Sequence, residues 1–211
     1  MPNGKHMIRR ERAARDCSAA ACENECSAGD ARTAKEYDHL TANEYSRKEL
    51  DMKDIPRIAS FEVDHDLITP GVYISRIDGE VTTYDLRTRI PNTGDLMDNA
   101  TMHSVEHMFA TYVRASEIGG KVLYFGPMGC QTGFYLLVRD CDKATVGRVI
   151  LSVLEKIVTH EGEMFGASRK ECGNFANLSL PLAKAECKRY LATLQQKEMT
   201  FTYPTAKENE A

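Results

Sequence analysis

A break in apolar content near residue 52 constrains the fold of this 211-residue chain more than any other feature. Before it, "RRERAARDCSAAACENECSAGDARTAKEYDHLTANEYSRKELDMKD" is built largely from Ala, Arg, Glu and Asp, with scarcely any large aliphatics. Such a stretch cannot bury enough apolar surface to offset the entropy of ordering it. Residues 1–51 are therefore expected to form a polar, poorly ordered extension. Residues 52–200 are expected as one folded domain, and residues 201–211 as a C-terminal tail. A segment of about 150 residues is long enough to enclose its own core.

From Ile55 onward the pattern is that of a compact domain. "ASFEVDHDL", "GVYISRID" and "EVTTYDLRTRI" read as short strands, punctuated by Gly71, Gly79 and Pro91. Asp98, Asn99 or Thr101 can cap a helix whose apolar positions include Val105, Met108, Phe109, Tyr112 and Val113. Gly119-Gly120 is the expected end of that helix. "KVLYF" and "GFYLLV" flank the turn "GPMGCQT" as two further strands. A second helix is expected from about Ala144, with Val146, Val149, Ile150, Val153, Ile157 and Val158 at helical spacing, and "LPLAKAECKRYLATLQQ" supplies a third. Strands and helices without a regular βαβ rhythm indicate the α+β class, an antiparallel sheet packed against helices.

The net charge of −4 gives no electrostatic footprint for nucleic acid or an anionic membrane. No apolar run approaches the ~20 residues that span a bilayer. The N-terminus lacks the apolar core of a secretion signal, and Glu11, Asp16 and Glu23 argue against a transit peptide. A cytoplasmic protein is expected. Its seven cysteines are then reduced, metal-bound or catalytic rather than disulfide-linked. Cys17, Cys22 and Cys26 lack the Cys-x2-Cys spacing of a structural zinc site and read as part of the exposed extension.

Chemistry concentrates in "HSVEH". Helical residues advance by roughly 100°, so His103, Glu106 and His107 fall on one face. Two imidazoles there can grip one metal ion, and the carboxylate between them can move protons. The third ligand is open at this point. An inverted zinc-peptidase arrangement takes a downstream glutamate, for which Glu155, Glu161, Glu163 and Glu171 are the candidates. Cys130, in the glycine-flanked turn "MGCQTG", and Cys172, in "KECGNF", have the settings of a ligand and of a nucleophile or base. Spacing does not decide which is which. Cys141 and Cys187 lack such settings and read as structural thiols.

The blocks "SFEVDH", "YDLR" followed by "PN", "HSVEH", "PMGCQTGFY" and "ECG" occur in the order and at separations similar to those of S-ribosylhomocysteine lyase, the autoinducer-2 synthase of bacterial quorum sensing. The resemblance runs from about Ser60 to Leu194. It implies that His103, His107 and Cys172 bind one ferrous ion per subunit, replaceable by zinc or cobalt. It implies Cys130 and Glu106 as the acid–base pair that converts S-ribosylhomocysteine to homocysteine and 4,5-dihydroxy-2,3-pentanedione. Arg87 matches the family's active-site arginine. Ser60 and His65 match residues that help bind substrate from the neighbouring subunit, so a homodimer with shared sites is implied. The chain departs from the usual pattern at "DLRT", which lacks an aromatic after the arginine, at Ser104 in place of threonine, and at "YFG" before "PMGC".

Overall fold

The computed structural model describes residues 55 and 57–206. The expected extension over residues 1–51, with Cys17, Cys22 and Cys26, lies outside the described residues, as do residues 207–211. Four strands form the sheet: β1 (Gly71–Asp78), β2 (Val81–Arg87), β3 (Val122–Pro127) and β4 (Gly133–Arg139). Their spatial order is β1-β2-β4-β3, and every neighbouring pair is antiparallel. Three helices, α1 (Asn99–Arg114), α2 (Lys143–Thr159) and α3 (Leu180–Gln195), pack on one another. This is the expected α+β architecture.

Each helix begins where a short polar side chain satisfies an otherwise orphaned backbone N–H. Asp98 accepts from the Thr101 N–H at 2.6 Å, Asp142 from Thr145 at 2.8 Å, and Ser179 from Leu182 at 3.5 Å. Helix α1 stops at Arg114 rather than at the Gly119-Gly120 pair. Ser116 takes the Val113 carbonyl with both its backbone N–H (3.2 Å) and its hydroxyl (2.6 Å), which draws the chain out of the helix early.

One face of the sheet supplies Val72, Tyr84, Leu86, Phe125, Phe134 and Leu136 to the core. Against them lie Val105, Met108 and Phe109 of α1, the Val146–Ile157 stripe of α2, and Cys187, Tyr190 and Leu191 of α3. Phe109, Phe125 and Phe134 stack in a row, with centroids 4.2 and 5.2 Å apart. Truncating a core phenylalanine of this kind costs about 3–5 kcal/mol, so the row fixes α1 firmly on the sheet.

The expected strand in "ASFEVDHDL" is not formed. Ala59–Phe61 is a turn of 3-10 helix, and Asp64 ties the following residues into a turn by accepting the Asp66 N–H at 3.0 Å. The outer edge of β1 is met instead by Phe201, which forms a parallel bridge with Tyr73 and sends its carbonyl to the Ile74 N–H at 2.9 Å. Phe201 is buried against Tyr84, so the chain after α3 is packed into the domain at this point. Among the described residues no helix is long and apolar enough to cross a membrane.

Candidate metal centre and active site

Helix α1 presents His103 and His107 one turn apart, their rings 4.7 Å between centroids and nearly perpendicular. Both are half-buried, because the loop between α2 and α3 folds over this face of the helix. From that loop Cys172 brings its sulfur to 3.3 Å from His103 Nε2. The donor atoms of His103, His107 and Cys172 all lie within 4.8 Å of one another. Among the described residues no other group of His, Cys, Asp or Glu converges in this way. The four glutamates that are candidates for the single third ligand of a peptidase-like site, Glu155, Glu161, Glu163 and Glu171, are exposed and stay out of the group; Glu171 instead accepts from the Ser168 hydroxyl at 2.5 Å.

The surroundings orient both imidazoles. His103 Nδ1 meets Asn177 Oδ1 at 2.5 Å, and Asn177 in turn donates its amide to Asn99 Oδ1 at 2.6 Å. His107 Nδ1 meets the Phe165 carbonyl at 3.0 Å. An acceptor at each Nδ1 fixes the hydrogen there and leaves each Nε2 lone pair free for an ion. Gly166 permits the second contact: its φ is +65°, and a Cβ would stand 2.8 Å from His107 Nδ1. Phe165 is held by edge-on contacts with Tyr112 and His160, and His160 meets the Tyr112 hydroxyl at 2.7 Å through Nδ1. Two oriented imidazoles and a thiol, three protein donors of the types that bind zinc or iron, fit a catalytic divalent metal. Neither Asn177 nor Phe165 carries a sequence signal that could have found it.

Glu106, half-buried beside His107, lines an open cavity of about 460 Å³ with Ala110, Thr111, Arg114, Phe165 and Gly166. The helix therefore offers its carboxylate to the same space as His107.

Cys130 lies elsewhere in the sheet architecture, in the β3–β4 turn, and is exposed. The β2–β4 register pairs Arg87 with Gly133 and so carries Arg87 to this turn. The approach needs a glycine at 133, where a Cβ would sit 2.6 Å from the Leu86 carbonyl oxygen. Arg87 donates through Nη1 to Thr132 Oγ1 at 2.6 Å and reaches Cys130 Sγ at 3.8 Å. Since a guanidinium only donates, the Thr132 hydroxyl keeps its own hydrogen for Cys130 Sγ, 3.0 Å away. Through Nη2, Arg87 holds fully buried Asp85 at 2.6 Å. Burial works against the Arg87 charge, but Asp85 more than compensates and its pKa is raised overall. Burial also pushes the Asp85 carboxyl up, while Arg87 and a hydrogen bond from Tyr203 pull against it. Nothing in the residue order marks Thr132 or Tyr203 as part of this site; Asp85 shares a face of β2 with Arg87, two residues before it.

Ser60 is half-buried in the 3-10 turn, and His65 meets the Val63 carbonyl through Nδ1 at 2.9 Å. His65 is within electrostatic reach of Asp85. Among the described residues of one chain, neither joins the His103–His107–Cys172 group.

Residues 58–201 match the family described as S-ribosylhomocysteinase (LuxS). The chain belongs to that family. The S-ribosylhomocysteine lyase of Finegoldia magna is 41% identical over 154 residues, which is 70% of this chain and 98% of the relative. That of Borreliella burgdorferi is 39% identical over 155 residues, covering 70% and 99%. The lyase of Clostridium beijerinckii is 40% identical over 156 residues, covering 70% and 98%. As a member of this family the chain is a carbon–sulfur lyase.

Proposed function

We propose that this chain cleaves S-ribosylhomocysteine to homocysteine and 4,5-dihydroxy-2,3-pentanedione, the autoinducer-2 precursor, with a metal ion held by His103, His107 and Cys172. Convergence of those three donors, with both Nδ1 atoms already committed, carries the assignment. Ferrous iron is the proposed ion, one per subunit, with zinc or cobalt as substitutes. When bound, such an ion supplies Lewis-acid polarisation of the substrate's carbonyl and hydroxyl oxygens.

The protein's own groups move the protons. Cys130, supplied with donors by Thr132 and Arg87, takes the C2 proton of the ribose chain and returns it to C1, then takes the C3 proton and returns it to C2, as the carbonyl moves from C1 to C3. Glu106 carries protons between the oxygens and then removes the C4 proton, so that homocysteine leaves from C5 as a thiolate. Ser60, His65 and Arg87 bind the substrate. The active site is shared across a homodimer in this proposal, which exposed apolar side chains beside Ser60 support: Ile58 is 56% and Phe61 64% exposed. We place the enzyme in the cytoplasm and its catalytic unit in residues 52–200. A chain beginning at Met52 should keep dimerisation and turnover, and loss of either refutes that boundary.

The test is thiol release from S-ribosylhomocysteine by protein reconstituted anaerobically with ferrous or cobalt ion. Stoichiometric homocysteine, absent in Glu106→Ala and Cys130→Ala, is expected. A folded, metal-loaded protein that releases none refutes the substrate assignment.

A further inference from the structure

The chain continues past the family-matched residues 58–201, and its next aromatic side chain turns back into the domain. Tyr203 stacks on Tyr73 of β1 with ring centroids 4.7 Å apart and an interplanar angle of 18°. Its hydroxyl donates to Asp85 Oδ2 at 2.9 Å. The same oxygen accepts from Arg87 Nη2 at 2.6 Å. The other oxygen of Asp85, and Arg87 Nε, have no hydrogen-bond partner among the described residues. Oδ2 is thus where the carboxylate is held, shared between one guanidinium and one phenol.

We propose that Tyr203 is a positioning residue for the Arg87–Cys130 pair, acting through Asp85 from outside the family-matched region. The proposal rests on the assignment of Cys130 as the carbon acid–base of the lyase. An arginine stays charged at every accessible pH, so this buried pair is neutral only while Asp85 is ionised. A phenol that shares the negative charge on Oδ2 leaves more of the Arg87 charge uncompensated on its Nη1 side, which faces Thr132 and Cys130. It also anchors the carboxylate that sets the guanidinium plane.

The other groups facing Asp85 do not substitute for it. Tyr73 on β1, Tyr135 on β4 and Tyr190 on α3 all have pKa values pushed up by burial, and so does Tyr203, which keeps these phenols protonated. The Tyr73 and Tyr190 hydroxyls are spent on the Thr69 and Gly71 carbonyls, both at 2.7 Å. His65, in the segment before β1, acts on Asp85 by charge alone among the bonds described. Of the phenols, Tyr203 is the one bonded to Asp85.

Tyr203→Phe tests this with little structural cost, because the ring stack on Tyr73 is retained. The readouts are the rate of iodoacetamide alkylation at Cys130, followed by mass spectrometry from pH 6 to 10, and steady-state lyase kinetics of the metal-loaded dimer. The midpoint of the alkylation profile should rise by about half to one pH unit, because the carboxylate charge on Oδ2, no longer shared with a phenol, then compensates Arg87 more fully and leaves less positive charge beside Cys130. The lyase kcat should fall about 3- to 10-fold with KM within twofold, the amount such a change in the ionised fraction of Cys130 implies. Tyr203→Ala, which also removes the stack, should show the same profile and additionally a lower thermal midpoint. An unchanged or lowered alkylation midpoint in Tyr203→Phe overturns the proposal. Failure of the underlying assignment shows separately, as turnover that survives Cys130→Ala.

Discussion

Gly166→Ala separates the two things that hold the metal face of α1 together. The substitution meets a backbone at φ +65° and a ring nitrogen, His107 Nδ1, 2.8 Å from the new Cβ. The first effect costs about 1 kcal/mol, as a left-handed conformation does for a residue with a Cβ. The second pushes the imidazole off the Phe165 carbonyl, a bond of 3.0 Å whose loss is worth about 1 kcal/mol net. Together they lower the thermal midpoint of the metal-free protein by about 4–8 °C for a chain of this size. Gly79→Ala isolates the backbone part, because Gly79 has φ +57° and nothing within 4 Å of the added Cβ. It should lose about 2–4 °C. Metal affinity then distinguishes the sites: competition against a chelating dye should show Gly166→Ala binding cobalt or zinc about 10- to 100-fold more weakly, with Gly79→Ala unchanged. Equal thermal losses in the two variants, with wild-type metal affinity in Gly166→Ala, would refute the claim that the Phe165 carbonyl orients His107.

Three further outcomes follow from the same contacts. Asn177→Ala removes the acceptor at His103 Nδ1 and should weaken metal binding about 10- to 100-fold, read by the same dye competition, and an unchanged affinity would show the Asn99–Asn177–His103 chain to be idle. Glu186→Ala strips Arg89 of a nearly buried partner that it grips with both Nε and Nη2; since Arg89 keeps Asp95, a loss of about 2 kcal/mol is expected in urea unfolding, below the usual cost of breaking a buried pair. The Asp98 carboxyl is held below its ordinary value by the Thr101 N–H at the start of α1, so its contribution is full above about pH 4 and fades as pH falls through the lowered folded value. Asp98→Asn keeps the cap but cannot titrate, and metal-free Asp98→Asn should lose less stability than the wild type between about pH 5 and pH 2; identical losses would remove Asp98 from the acid response.

Features that depend on neighbours along the chain can be read directly from the order of the residues. Helical spacing alone puts His103, Glu106 and His107 on one face of α1, and the cap candidates Asp98, Asn99 and Thr101 mark where it starts, because both follow from dihedrals repeated over a few residues; the structure selects Asp98. The hairpin around "GPMGCQT" and the apolar stripe of α2 were legible for the same reason. The α1 terminus was not, since Ser116 competes for the Val113 carbonyl before the glycine pair is reached. Nor was the loss of a strand at "ASFEVDHDL": strand formation needs an edge to pair with, and here Asp64 closes a local turn while Phe201 meets β1. The roles proposed for Cys130 and Cys172 rest on likeness to a family rather than on spacing. Only the tertiary structure brings Cys172 to His103 across 69 positions, Asn177 and Phe165 to the two imidazoles, and Tyr203 to Asp85 across 118. These contacts are made by loops and a C-terminal segment with no periodicity of their own. Their places are set by where the packed core leaves each loop, and no stretch of neighbouring residues encodes that.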